Sequence, residues 1–200
     1  MNYHKEYYAK QKTLAEAQTL IHSGDIVYTT HNHSEPLSIL EHLHERAPYV
    51  ENVKIWKGRS GHFPVMYEPS MKGHMEMLTY FYGPTFYRES EPLGLIDHVP
   101  SDLAHYFTAA IMYHKPTVFY TGVGAMDERG VFRMGMNHTE EGDSIQYAID
   151  HKLPIVVDRH GAHDADLTGK DIGGHVGKEE FSLLDGSGVP EPLSDRDGNE

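Results

Sequence analysis

Residues 66–84 read Met66-Tyr-Glu-Pro-Ser-Met-Lys-Gly-His-Met-Glu-Met-Leu-Thr-Tyr-Phe-Tyr-Gly-Pro84. This stretch completes a segment rich in glycine and proline, which starts at Gly58 and ends at Gly73, and then runs into the apolar and aromatic residues 78–82. Glycine and proline interrupt regular structure, whereas a short apolar run bounded by them is typical of a strand. The stretch therefore predicts a strand over 78–82 that follows a long loop.

On both sides of this stretch, strand-like segments alternate with helix-like ones. Short apolar runs predict further strands over 25–30, 53–57, 117–123, 131–134 and 154–157. Apolar residues at helical spacing predict helices over 13–23, 36–46, 102–114 and 140–150. Thr13 and Glu16 form a capping box at the start of the first helix, and Ser101 is the expected cap of the third. The alternation predicts an α/β fold with a mainly parallel sheet flanked by helices.

The composition excludes several classes of protein. Hydrophobic residues make up 38% of the 200 residues, which is typical of a globular chain, and no run approaches the ~18 apolar residues of a membrane span. Without cysteine, the chain has no disulfide framework and no thiolate ligand for a metal. A formal net charge of −13 argues against nucleic acid and anionic membrane as partners. These features favour a cytoplasmic protein.

The turn after the first predicted strand is a candidate binding site. It reads Thr30-His-Asn-His-Ser-Glu-Pro36 and joins a strand to a helix. In open α/β folds, ligands bind in the crevice at the carboxyl ends of the strands. A helix that starts there offers unpaired N–H groups to a carboxylate or a thioester oxygen. The alternative is an ordinary helix start with surface histidines.

A third segment, residues 116–135, predicts a strand, a turn and a returning strand. The turn is Asp127-Glu-Arg-Gly130. Asp127 is a candidate for the same pocket, and the alternative is a turn carboxylate that accepts hydrogen bonds from nearby backbone donors.

Taken together, the three segments resemble the N-terminal half of acetyl-CoA hydrolases and acyl-CoA:carboxylate CoA-transferases, including the 4-hydroxybutyrate CoA-transferase-like proteins. The matching positions, in the family's order, are His31, Glu35, Pro36, Pro69, Met71, Gly73, His74, Phe81, Gly83, Pro84, Pro116, Val118, Val123, Asp127, Gly130 and Gly135. The chain departs from the family at Ser34, where the family has glycine, and at 124–126, which reads Gly-Ala-Met in place of Ser-Pro-Pro. The resemblance runs from about Lys12 to Asp150.

The resemblance implies a reaction in two steps. A glutamate attacks an acyl-CoA thioester to form an acyl-glutamyl anhydride, and the released CoA thiolate converts this into a glutamyl-CoA thioester. CoA then passes to an incoming carboxylate such as acetate. In the family, the glutamate and the glycine-rich CoA site belong to the C-terminal half, and no residue of this chain is assigned as the nucleophile.

For this chain, the resemblance implies the acyl and carboxylate pocket of such an enzyme. The candidate pocket residues are His31, Asn32, Glu35, Pro36, His74, Gly124 and Asp127. Coenzyme A is expected as a substrate of the complete enzyme, with no cofactor or metal bound, and the partner is a C-terminal CoA-transferase half in cis or in trans. The isolated chain is expected to be inactive. The alternative is a non-catalytic remnant or binding module with the same fold.

The last part of the chain has a different character. Eleven acidic and four basic residues lie between Asp158 and Glu200, so this segment carries −7 of the net charge. We therefore expect a domain over 1–157, followed over 158–200 by an acidic, glycine-rich tail or a truncated continuation. A separate hypothesis places a metal ion at His160, His163, Asp164 and Asp166, which would suit a metal hydrolase.

Overall fold

The structure is a computed structural model that describes residues 3–31, 34–57, 63–81, 85–102, 105–126, 132–134, 141–159 and 180–184. Nine strands occur among these residues: β1 Gln11–Lys12, β2 Ile26–Thr29, β3 Val53–Trp56, β4 Met75–Thr79, β5 Ile96–His98, β6 Val118–Met126, β7 Phe132–Met134, β8 Ile155–Arg159 and β9 Glu180–Leu184. The α-helices are α1 Tyr3–Lys10, α2 Leu14–Gln18, α3 Leu37–His42, α4 Thr85–Ser90, α5 Tyr106–Ala109 and α6 Glu141–Asp150. Short 3₁₀ helices occupy Leu43–Tyr49, Pro64–Tyr67, Pro69–Met71 and Glu91–Leu93, and α5 continues as a π-helix over Ala110–His114.

All nine strands belong to one sheet in the order β1-β9-β8-β6-β2-β3-β4-β5, with β7 paired to β6. Six of them, β2, β3, β4, β5, β6 and β8, run parallel to their neighbours in this group. From β2 the chain builds outward through β3, β4 and β5, and then returns to add β6 on the other side of β2. The strand order therefore reverses between β2 and β6, which makes their carboxyl ends the expected place for a ligand.

Both faces of the sheet are covered, because alternate residues of each strand point to opposite faces. On one face, Val27, Ile55 and Met77 join a core that includes Ile39 and Leu40 of α3. On the other face, the neighbouring strand residues Tyr28, Trp56, Leu78 and Phe119 join a core with α5 and α6. The sequence prediction of a parallel α/β sheet flanked by helices is confirmed.

The strand predicted over 78–82 begins and ends three residues earlier, at Met75–Thr79. Met75 pairs with Val53 and Met77 with Ile55 of β3. The two methionines, which precede the predicted strand, therefore belong to β4. Tyr80 and Phe81 lie beyond the pairing, and Phe81 N donates to Thr79 Oγ1 at 3.1 Å. Tyr80 and Phe81 therefore leave the sheet at its carboxyl edge.

The predicted helices are present but shorter. The capping box at Thr13 is confirmed, since Glu16 N donates to Thr13 Oγ1 at 3.2 Å and Thr13 N to Glu16 Oε2 at 2.8 Å. The helix predicted to start at 102 starts at Tyr106, and Asp102 rather than Ser101 accepts the hydrogen bond of His105 N, at 3.0 Å. A carboxylate that accepts from the residue three positions later is the ordinary Asx arrangement before a helix.

The chain beyond residue 157 contributes to the same sheet. Asp158 and Arg159 extend β8, and β9 pairs antiparallel with β8 and with β1. Part of the segment expected as an acidic, glycine-rich tail or a truncated continuation thus forms strand, and the division of the chain at 157 stays a prediction. The turn 127–130 and the candidate metal ligands 160–166 lie outside the described residues.

Within the described part, no helix is both long and apolar enough to cross a membrane, and the cytoplasmic location stays a prediction.

Candidate functional site

The crevice between the carboxyl ends of β2 and β6 is held together by Thr30. Its backbone N–H donates to Tyr120 O at 3.1 Å, which continues the pairing of the two strands by one residue. Its side-chain hydroxyl lies 3.2 Å from Thr121 Oγ1 and also donates to Ser34 O. One buried threonine thus ties the β2–α3 turn to the point where the strand order reverses.

The β2–α3 turn lies directly against Gly122 of β6. A Cβ atom built on Gly122 would lie 2.9 Å from the carbonyl oxygens of both Ser34 and Glu35, a separation that real Cβ atoms do not adopt. Ser34 N donates to His31 O at 3.1 Å, which closes the turn. Glycine is required at 122 because the backbone of the turn occupies the space that a side chain would need.

Lys57 and Glu35 form a buried ion pair at the same edge. Lys57 Nζ lies 2.9 Å from Glu35 Oε1, and the Lys57 ammonium lies 5.2 Å from the centre of the Phe63 ring. Burial lowers the pKa of Lys57, and the Glu35 carboxylate opposes that shift. Since a lone buried charge is far more costly than a paired one, the pair fixes the β2–α3 turn to the end of β3.

His31 lies in a stack of aromatic rings. Its ring stacks on Tyr106 with centroids 4.7 Å apart, and Tyr106 stacks on Tyr80 at 4.3 Å. Burial lowers the pKa of His31 to about 3, with a further contribution from the charge of Lys57 and with backbone hydrogen bonding at Thr30 and Thr29 opposing it. His31 is therefore neutral near pH 7 and acts as an aromatic wall of the crevice, not as a cation or general acid.

Asp158 holds the start of α3 from the carboxyl end of β8. Its Oδ2 accepts from Ser38 N at 2.9 Å, and its Oδ1 accepts from Ser38 Oγ at 3.3 Å. The carboxylate satisfies a backbone donor in the first turn of the helix, where no partner exists within the helix itself. The two carboxylates described at this edge, Glu35 and Asp158, are thus both engaged in internal bonds.

The structure brings some of the sequence-predicted residues together and separates others. His31, Glu35 and Pro36 are buried in the β2–α3 turn, and Gly124 is buried in the carboxyl-terminal part of β6. His74 precedes β4 and therefore lies at the opposite, amino edge of the sheet, where its Nδ1 lies 2.8 Å from Val50 O. Asn32 and Asp127 lie outside the described residues.

The amino edge around His74 forms a surface cleft of about 420 Å³. Residues from the starts of β3 and β4 and from the turn before β5 line it, including Lys54, Lys72 and Leu93. The opposite edges of a parallel sheet are separated by the length of the strands, so His74 does not share a pocket with His31.

Sequence reasoning missed the residues that organise the crevice, namely Lys57, Tyr80, Tyr106, Thr121 and Asp158. A signal existed for Lys57 and Thr121, because each lies at or near the carboxyl end of a predicted strand. No group of three or more histidine, aspartate or glutamate side chains able to hold a metal ion occurs in the ranges that the structure describes. The metal hypothesis for 160–166 stays a prediction.

Solved structures show which fold the sheet belongs to. RipA from Yersinia pestis matches 94% of this chain with a TM-score of 0.71 and 17% identity, and 43% of the RipA chain is covered. The alpha subunit of a malonate decarboxylase from Acinetobacter baumannii matches 72% of this chain with a TM-score of 0.58 and 19% identity, and 27% of that subunit is covered. No family model matches the chain, and no curated protein matches it.

The likeness to these two structures shows a CoA-transferase-like fold, and at these identities it shows the fold alone. The chain spans less than half the length of either solved chain.

Proposed function

We propose that the chain is the N-terminal half of an acetyl-CoA hydrolase or CoA-transferase and forms the acyl and carboxylate pocket for CoA transfer between an acyl-CoA and a carboxylate such as acetate. The observation that carries the proposal is the packing of the β2–α3 turn against Gly122 at the reversal of strand order. Both sides of this contact belong to segments that resemble the family, the turn to residues 30–36 and Gly122 to residues 116–135. Coenzyme A is a substrate in this account, and no bound cofactor is invoked.

The nucleophilic glutamate is proposed to come from a second half, in cis or in trans. Glu35 is unsuited to that role, because Lys57 holds it in a buried ion pair and only 3% of it is exposed. Asp158 is fully buried and bonded to Ser38. A second half is compatible with the coverage, since the chain spans 43% and 27% of the two solved chains.

The test uses the protein purified from its native cells through an affinity tag, together with any chain that assembles with it. Exchange of label between acetyl-CoA and [¹⁴C]acetate measures CoA transfer. We expect exchange by the assembly, none by the isolated chain, and inactivation by borohydride only in the presence of acetyl-CoA, since borohydride reduces a glutamyl-CoA thioester. An assembly that neither exchanges nor hydrolyses acetyl-CoA would overturn the proposal.

The second candidate is a non-catalytic binding module with the same fold. The internal engagement of Glu35 and Asp158 favours it, because neither described carboxylate of the crevice is available for attack on a thioester. Such a module binds a carboxylate or acyl-CoA at the same crevice without turnover. Ligand binding combined with the absence of exchange in every assembly would select this candidate.

A further inference from the structure

Two buried hydroxyl groups near the crevice have no hydrogen-bond partner among the described residues. They are Ser34 Oγ, in a residue with no exposed surface, and Tyr106 OH, in a residue that is 1% exposed. A buried hydroxyl without a partner costs about 1–3 kcal/mol. Such groups are rare in native proteins, and each of them calls for a physical reason.

Neighbouring buried hydroxyls in the same region are satisfied. Thr29 Oγ1 donates to Trp56 O at 3.3 Å, Thr30 Oγ1 donates to Ser34 O, and Ser38 Oγ donates to Asp158 Oδ1 at 3.3 Å. Tyr120, whose ring packs on the face of the sheet opposite to Tyr106, donates its OH to Ala17 O at 2.8 Å. The fold therefore provides acceptors for hydroxyls of the same kinds, which sets Ser34 and Tyr106 apart.

Both hydroxyl-bearing residues contact His31. Ser34 closes the turn through its N–H bond to His31 O at 3.1 Å, and the Tyr106 ring stacks on the His31 ring at 4.7 Å. The two hydroxyls therefore belong to residues that both touch His31, Ser34 in the β2–α3 turn and Tyr106 in α5. Both belong to the carboxyl edge, where the topology predicts a ligand.

We propose that Ser34 Oγ and Tyr106 OH are the hydrogen-bond donors that recognise the carboxylate of a short-chain acid in this crevice. The inference rests on the proposed function for the identity of the ligand and deepens it by naming the donors. A carboxylate has two oxygens that accept hydrogen bonds, and bonds from hydroxyls to a charged acceptor are about twice as strong as neutral ones. Ser34 replaces the glycine expected at this position, so the chain adds a donor here.

The experiment measures acetate binding to the purified 200-residue chain by NMR titration. The variants are Ser34→Ala and Tyr106→Phe, which remove one hydroxyl each, and the matched control is Tyr120→Phe, which removes a hydroxyl on the opposite face. We expect the Kd for acetate to rise about 10-fold or more in Ser34→Ala and Tyr106→Phe, as for a lost charge-assisted bond. The control keeps the wild-type Kd.

Thermal unfolding separates recognition from structure. Removal of a hydroxyl without a partner is nearly neutral, so Tyr106→Phe keeps or raises the Tm, whereas Tyr120→Phe lowers it because the buried hydrogen bond from Tyr120 OH to Ala17 O is lost. The inference is overturned if the wild-type chain does not bind acetate, if Ser34→Ala and Tyr106→Phe bind as the wild type does, or if Tyr106→Phe loses as much stability as the control.

The outcomes distinguish this inference from the proposed function. Acetate binding that depends on the two hydroxyls, in an assembly without CoA exchange, keeps the inference and removes the catalytic proposal. CoA exchange that is unchanged by Tyr106→Phe and Ser34→Ala keeps the catalytic proposal and removes the inference.

Discussion

Lys57 Nζ lies 2.9 Å from Glu35 Oε1, and the two side chains are only 1% and 3% exposed. This ion pair joins the end of β3 to the β2–α3 turn, which lies across the carboxyl edge of the sheet. Since each charge is buried, each depends on the other. The geometry of the candidate site therefore rests on a pair whose members are 22 residues apart in the sequence.

Replacement of one partner is expected to be costly. Lys57→Met leaves the Glu35 carboxylate buried without its cation, and we expect the free energy of unfolding to fall by about 3–5 kcal/mol. Adding Glu35→Leu to Lys57→Met removes the uncompensated charge and restores most of that loss. Urea unfolding of the two single variants and the double variant measures the effect.

The half-buried pair Lys54–Glu76 provides the control. Its atoms are 3.7 Å apart, and the two side chains are 40% and 32% exposed. Lys54→Met is therefore expected to change the free energy of unfolding by less than about 1 kcal/mol. A loss at Lys57 as small as the loss at Lys54 would contradict the account of a buried, mutually dependent pair.

The stability of the chain is expected to depend on pH through His31. Because burial lowers the pKa of His31 to about 3, the unfolded chain, with a pKa of about 6.5, binds the proton more readily than the folded chain. This contribution is complete above pH 6.5 and is lost as the pH falls towards 3. Between pH 7.5 and 5.5 the free energy of unfolding that is lost through His31 amounts to about 1.4 kcal/mol.

His31→Phe isolates this contribution, since it keeps an aromatic ring and removes the titrating group. The loss of unfolding free energy between pH 7.5 and 5.5 should be about 1.4 kcal/mol smaller in the variant than in the wild type. Comparing each protein with itself at the two pH values cancels the constant cost of the substitution. Equal losses in both proteins would show that His31 titrates normally.

Gly122→Ala is expected to disturb the crevice. The added methyl group would lie 2.9 Å from the backbone oxygens of Ser34 and Glu35, so the turn must move, at a cost of about 1–3 kcal/mol. Gly142→Ala, on the exposed side of α6 with no atom within 4 Å of the added carbon, is the matched control. It should be neutral or more stable by up to about 1 kcal/mol. Thermal unfolding ranks the two variants, and equal Tm values would refute the close contact.

Asp158 is expected to stabilise α3 from the far side of the crevice. Asp158→Ala leaves Ser38 N without its acceptor and should cost about 1–3 kcal/mol in urea unfolding. Asp158→Asn retains one acceptor oxygen and should lose less. If Asp158→Ala unfolds like the wild type, the bond from β8 to α3 is not formed in solution.

The sequence predicted the alternation of strands and helices because apolar runs and helical spacing are local signals. It also placed the β2–α3 turn at the carboxyl edge, since a segment that directly follows a strand of a parallel sheet lies at that edge. The capping box at Thr13 was readable because both partners lie within one turn of helix. These features depend on neighbours in the chain.

What the sequence did not predict depends on distant pairing. The burial of Lys57 follows from Glu35 and Phe63, and an isolated lysine after a strand normally predicts a solvated end. β9 was missed because its partners, β8 and β1, are distant in the sequence and its own flanks are rich in glycine. His74 matched a family segment, but its position before a parallel strand puts it at the opposite edge from His31.

An amide NMR titration of the ¹⁵N-labelled chain with acetate locates the carboxylate site residue by residue. We expect the largest shifts at Thr30, His31, Ser34 and Glu35, together with Thr121 and Gly122, because these residues meet at the reversal of strand order. Shifts confined to the amino-edge cleft around Lys54, Lys72 and His74, or the absence of any shift, would contradict this expectation.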